Sequence, residues 1–127
     1  MAFILAVDFD ETLFESSHPN KGKPKRDIIN KVKEFKRHNA EVVLWTCREG
    51  KSLEEALMRC KEEGLEFDAI NSNAPTSLIY LEEQKKKGYV FGTRKIYADF
   101  YVDDKAFNLD IFLGLDVKAI CNKFAKR

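Results

Sequence analysis

Asp8 and Asp10 stand one residue apart directly after the apolar run AFILAV, and Asp103 and Asp104 follow the apolar stretch FYV. Carboxylates brought together in this way repel, and only one or two would stay ionised without a cation among them. A hard divalent ion resolves the conflict. Mg2+ takes one or two carboxylates, keeps several waters and leaves room for a phosphate oxygen. Arg48 follows a second apolar run, VVLW, after Thr46 and Cys47. A guanidinium at such an edge can grip a phosphate or carboxylate through two parallel hydrogen bonds, or form a salt bridge with Glu11 or Glu49. The chemistry expected of these residues is metal-assisted handling of an anionic group.

For the aspartates to meet, the apolar runs that carry them must lie side by side. FILAV (3–7) and VVLW (42–45) are continuous and rich in β-branched and aromatic residues, as in strands covered on both faces of a parallel sheet. FDAI (67–70) and ADFYVDD (98–104) predict a third and a fourth strand. Ile28, Ile29, Val32 and Phe35 fall at helical spacing between the first two. A second helix is predicted from a capping box of Ser52 and Glu55, a stripe of Leu53, Ala56, Leu57 and Cys60, and a stop at Gly64. A third starts at Pro75 and ends at Gly88. LDVKAICNKFAKR reads as a short edge strand followed by a helix. Asn71 and Asn73, before Pro75, are expected to cap its helix rather than line a pocket.

Alternation of strands and helices with short loops predicts an α/β three-layer sandwich, an open parallel Rossmann-like sheet with helices on both faces. Ligands bind such sheets at the carboxyl ends of the strands. Asp8 and Asp10, Thr46 and Arg48, and Asp103 and Asp104 all fall at that edge.

With 127 residues the chain suits a single domain spanning 1–127, large enough for one core. Lys and Arg number 22 against 21 Asp and Glu, a balance without the long-range positive field of a dedicated nucleic-acid binder. Attraction for anions must be local, and Lys21, Lys23, Lys25 and Arg26, in the loop after the first strand, are candidates. Cys47, Cys60 and Cys121 form no CxxC pair, and His18 and His38 lack metal-ligand spacing. A reducing cytoplasm is the expected location. The apolar run near the start is too short for a membrane span or a signal-peptide core, so no membrane partner is expected.

Taken in order, VDFDETLF, VVLWT, Lys95 and FYVDD resemble the four motifs of the haloacid dehalogenase superfamily of phosphatases, from Phe3 to Asp104. The resemblance implies Asp8 as the nucleophile that forms an aspartyl-phosphate and Asp10 as the general acid and base. It implies Thr46 and Lys95 as donors to the phosphoryl oxygens, with Arg94 as the fallback for Lys95. Asp103 and Asp104 would hold Mg2+, joined by Asp8 and the main-chain carbonyl of Asp10. The implied activity is a Mg2+-dependent phosphomonoesterase acting on a small phosphorylated metabolite or nucleotide.

Glu11 stands where many members carry Gly, and this Asp-x-Asp-Glu-Thr form also resembles the carboxy-terminal-domain phosphatases that act on protein phosphoserine. The eight residues from Lys95 to Asp103 are similar to the spacing of deoxyribonucleotidase-type members. The intervals between motifs leave no room for a cap domain. LWTCREG and GLEFDAIN are also similar to small uncharacterised bacterial and phage-like members. A protein or polynucleotide phosphatase is the alternative enzyme; a receiver-like phosphoaspartate module or an inactive binding domain is the alternative of another class.

Overall fold

The computed structural model describes residues 1–16, 22–90, 93–105 and 109–126. Its sheet is built around β1 (Ile4–Val7), which pairs in parallel with β2 (Glu41–Leu44) on one side and β4 (Phe100–Val102) on the other. A short β3 (Ala69–Ile70) lies beyond β2, giving the order β3-β2-β1-β4. Strand order reverses at β1, so the binding crevice of this fold falls outside the ends of β1 and β4.

Both faces of the sheet are buried, which is why the strands read as unbroken apolar runs. Phe3, Leu5 and Val7 face one core together with Ile28, Ile29, Val32 and Phe35 of α1 (Arg26–Arg37). Ala56 and Cys60 of α2 (Gly50–Glu62) join that core. So do Phe112 of α4 (Leu109–Leu113) and Val117 and Cys121 of α5 (Val117–Ala125). The Phe3 ring lies 5.4 Å from Phe35 and 5.1 Å from Phe124, tying strand to helices at both ends of the chain. Ile4, Ala6 and Val43 face the other way, onto Ile96 and onto Ala74 at the start of α3 (Pro75–Lys86). The architecture is the parallel α/β sandwich expected. No helix among the described residues is long and apolar enough to cross a membrane.

Two expectations fail locally. The tail forms α4 and α5 with no strand between them: the Asp116 carboxylate accepts the Ala119 N–H at 3.0 Å and so starts α5. Val117 and Cys121, four residues apart, then pack as one helical face, which outweighs the short apolar alternation that suggested a strand. The Ser52–Glu55 capping box does not form either, because α2 begins earlier, at Gly50, and the Ser52 hydroxyl donates to the Glu49 carbonyl at 3.0 Å. The stop at Gly64 is as expected, with φ at +78°.

The third and fourth strands are shorter than their apolar runs, for one shared reason. Asp68 Oδ2 accepts the Val42 N–H at 2.7 Å, and Asp99 Oδ2 accepts the Ile4 N–H at 2.8 Å. Each aspartate replaces a ladder bond with its side chain at the amino end of the sheet. Asp99→Ala is expected to lower the unfolding free energy by about 1–3 kcal/mol, and Asp99→Asn, which keeps an acceptor oxygen, by less. Urea denaturation of the two variants measures the difference.

Candidate active site

The register of the sheet sets the site. Val7 pairs with Leu44 on one side and Val102 on the other, so Asp8, Trp45 and Asp103 emerge together one residue further on. Asp8 N–H donates to the Val102 carbonyl at 3.0 Å, and Trp45 N–H to the Val7 carbonyl at 2.9 Å, carrying the ladder up to that level. One carboxylate oxygen each from Asp8, Asp103 and Asp104 then lies within 4.8 Å of the other two. Asp8 and Asp103 are half-buried and Asp104 is exposed. The set is all carboxylate, with one open side. That chemistry fits a hard divalent cation that keeps part of its water, and it lacks the sulfur and imidazole donors of a zinc site.

Asp8 itself records the conflict. Burial pushes its carboxyl up to about 6, with repulsion from Asp103, Asp10 and Asp104 adding to the rise and a hydrogen bond from the Phe9 N–H opposing it. Folding therefore favours the protonated form. With no cation, the stability this group allows is intact below its ordinary value of 3.8 and is lost as pH rises to about 6.

The loop after β1 is a tight turn in which the Phe9 carbonyl accepts the N–H groups of Thr12, Leu13 and Phe14 at 3.3, 3.0 and 3.2 Å. Glu11 adopts a left-handed conformation there, with φ at +61°, a conformation that glycine takes without strain. Its carboxylate accepts the Ser16 N–H at 2.6 Å, closing the loop on itself. Thr12 is fully buried, and its hydroxyl accepts the Asp104 N–H at 3.0 Å. This joins the loop after β1 to the loop after β4. Sequence reasoning assigned Thr12 no role; a hydroxyl between a charged turn and the apolar pair Leu13–Phe14 was the available signal.

The side chain of Asp10, whose main-chain carbonyl is the expected metal ligand, stands outside the three-carboxylate group. Its carboxylate is held by Arg48 through Nη2 to Oδ1 at 2.8 Å and Nε to Oδ2 at 3.0 Å. Ser16 Oγ adds a bond to Oδ1 at 3.2 Å. The hydrogen bonds from Arg48 hold Asp10 below the usual carboxylate range, with burial opposing. Arg48, expected on a substrate anion or paired with Glu11 or Glu49, is thus committed to Asp10.

Thr46 is fixed from two sides: its N–H donates to Asn71 Oδ1 at 2.8 Å, and its Oγ1 accepts the Arg48 N–H at 3.1 Å. Asn73 Oδ1 accepts the Tyr97 N–H at 2.7 Å, fastening the segment that carries Lys95. The capping role expected of both asparagines is overturned, since Ala74 occupies the cap of α3. Lys95 Nζ lies 5.5 Å from the Tyr101 ring centroid. With Asp8, Trp45 and Asp103 it lines a cavity of about 380 Å³. An adjoining cavity of about 690 Å³ shares those three residues and adds Thr46, Cys47, Asn71, Arg94 and Lys105. Both candidates for the cationic role, Lys95 and Arg94, therefore reach the crevice. Trp45, read only as strand, is a wall of both cavities. Of the basic loop residues, Lys25 bonds the Glu11 carbonyl at 3.1 Å and Arg26 pairs with Glu63 at 3.1 Å; Lys21 and His18 lie outside the described residues.

No family model and no curated protein matches the chain. Among solved structures, it is similar to a conserved protein from Bacteroides thetaiotaomicron, at 30% identity and a TM-score of 0.64, over 99% of this chain and 92% of that one. A crystal structure from Vibrio cholerae aligns at 23% identity and a TM-score of 0.42, over 98% of each chain. The chain belongs to the family of the conserved Bacteroides protein.

Two outcomes follow from the site's electrostatics and turn geometry. Without divalent cation, Asp8→Asn should raise Tm by roughly 2–4 °C near pH 7.5, allowing for screening of a half-exposed group, and the gain should shrink below pH 5; calorimetry at both pH values checks this. Glu11→Ala and Glu11→Gly both lose the Ser16 bond, but alanine keeps the left-handed strain that glycine relieves, so Glu11→Ala should be less stable than Glu11→Gly by about 1 kcal/mol in chemical denaturation.

Proposed function

We propose that this member of the Bacteroides protein's family is a Mg2+-dependent phosphomonoesterase acting through an aspartyl-phosphate on a small phosphorylated metabolite or nucleotide. The observation that carries the reading is the grouping of Asp8, Asp103 and Asp104 within 4.8 Å at the strand-order switch point, with Lys95 on the same cavity. Asp8, Lys95 and Asp103, from three of the motifs, thereby border one cavity, and Thr46, from the fourth, borders the adjoining one, which supports the reading.

Asp8, Asp103 and Asp104 would hold Mg2+, which when bound neutralises the carboxylates and draws charge from a phosphoryl oxygen. Asp8 attacks phosphorus, and the bond to the leaving oxygen breaks as the new one forms. The negative phosphate, once bound, offsets the pull of Arg48 and lets Asp10 take up a proton; Asp10 delivers it to that oxygen and then takes one from the water that cleaves the aspartyl-phosphate, so that both carboxylates return to their starting forms. Thr46 is prepared as a donor: its Oγ1 accepts from Arg48 N–H, which leaves its own proton for a phosphoryl oxygen. Lys95 supplies a second donor, and Arg94 and Lys105 add positive charge to the wider cavity.

Among the described residues α2, the short β3 and α3 occupy the stretch between Thr46 and Lys95, which supports a capless enzyme whose selectivity rests with the rim of the crevice. The exposed thiol of Cys47 and the buried ones of Cys60 and Cys121 are free, in keeping with a cytoplasmic setting. Hydrolysis of p-nitrophenyl phosphate and a phosphorylated-metabolite panel, with and without Mg2+, tests the reading. Chelation should abolish turnover, Asp8→Asn should reduce it by roughly 10³-fold or more, and Lys95→Ala by about 10²-fold. Undiminished hydrolysis by Asp8→Asn would remove the nucleophile assignment.

A further inference from the structure

Arg48 is tied down more completely than a substrate anchor needs to be. Its Nε and Nη2 hold the two oxygens of Asp10 at 3.0 and 2.8 Å, and Nη1 donates to the Ser52 carbonyl at 3.1 Å. The guanidinium carbon sits 4.6 Å from the centroid of the Phe9 ring. Two parallel bonds from a planar fork fix the plane of a carboxylate as well as its position, which a point charge cannot do. The restraint crosses between elements, since Asp10 follows β1 while Arg48 lies between β2 and α2. Turning Arg48 to a bound phosphate would break both bonds and leave Asp10 with Ser16. The cavities beside Asp8 are already supplied with Lys95, Arg94 and Lys105.

We infer that Arg48 is a positioning residue, which holds Asp10 in the orientation for proton transfer to the leaving oxygen and does not bind the phosphoryl group. The inference rests on the phosphatase reading. Among the described residues, Oδ1 of Asp10 accepts from Arg48 and Ser16, whereas Oδ2 accepts from Arg48 alone. Oδ2 thus keeps a lone pair to carry the transferred proton. As the bond to phosphorus breaks, its electron pair stays on the leaving oxygen, which takes that proton and departs as an alcohol. Asp10 is left as the carboxylate, and the attacking water later restores its proton.

Substrates that differ in their need for that proton separate this role from others. A nitrophenolate stabilises its own charge, whereas an alkoxide does not. Arg48→Ala should therefore lose at least tenfold more kcat on an alkyl phosphate than on p-nitrophenyl phosphate, within the 10²–10⁴-fold that general acid catalysis supplies. Added guanidinium ion should restore part of the alkyl activity. Arg48→Lys keeps the charge and loses the fork, and should show the same imbalance to a smaller degree if the alanine variant folds poorly. With Asp10→Asn already in place, Arg48→Ala should cost the alkyl substrate less than about threefold, because nothing remains to be oriented. Equal losses on both substrates, or a loss carried by KM, would overturn the inference while leaving the phosphatase reading intact. Wild-type protein that turns over neither substrate would overturn both.

Discussion

Three like charges at the ends of adjacent parallel strands are the constraint on which the site depends. Register brings Asp8 and Asp103 out side by side, and Thr12 draws the loop bearing Asp104 against the loop bearing Asp8. The result is a concentration of negative charge that the protein's own backbone only partly offsets, through the Phe9 N–H on Asp8. The half-buried Asp8 carboxyl is thereby forced toward its neutral form, so the arrangement costs stability wherever the group ionises.

Around this charge the polar side chains serve the geometry more than the ligand. Asn71 holds the end of β2, Asn73 holds the segment leading to β4, and Arg48 spans from Asp10 to the first turn of α2. Each contact is a side chain bonding the backbone or carboxylate of another element. Loops that would otherwise sample many conformations are thereby fixed with few residues.

The sheet was legible because its strands are buried on both faces, which leaves an uninterrupted apolar signature at FILAV and VVLW. The α1 stripe was legible for the related reason that Ile28, Ile29, Val32 and Phe35 all reach one core. Asp8, Thr46, Asp103 and Asp104 could be placed at one edge from strand polarity alone, whereas Lys95, which precedes the fourth strand, entered only through the family resemblance. Partnerships could not. A bidentate pair between Arg48 and Asp10 depends on side-chain reach across two loops, and sequence spacing carries no record of that. Asn71 and Asn73 were misread because local capping is the usual use of asparagine before a helix, whereas here bonds across the sheet end prevail. The tail was misread because a single capping aspartate, Asp116, decides between strand and helix where the apolar pattern is too short to do so.

Asp68 and Asp99, at the opposite end of the sheet, give the acidic residues of this protein a directional meaning. There one carboxylate oxygen of each accepts a main-chain N–H, that of Val42 or of Ile4, and acts as a rivet between neighbouring strands. At the other end the same residue type is left with surplus charge that tends to prise those strands apart. The sheet is thus fastened at its amino end, opposite the end where the like charges gather.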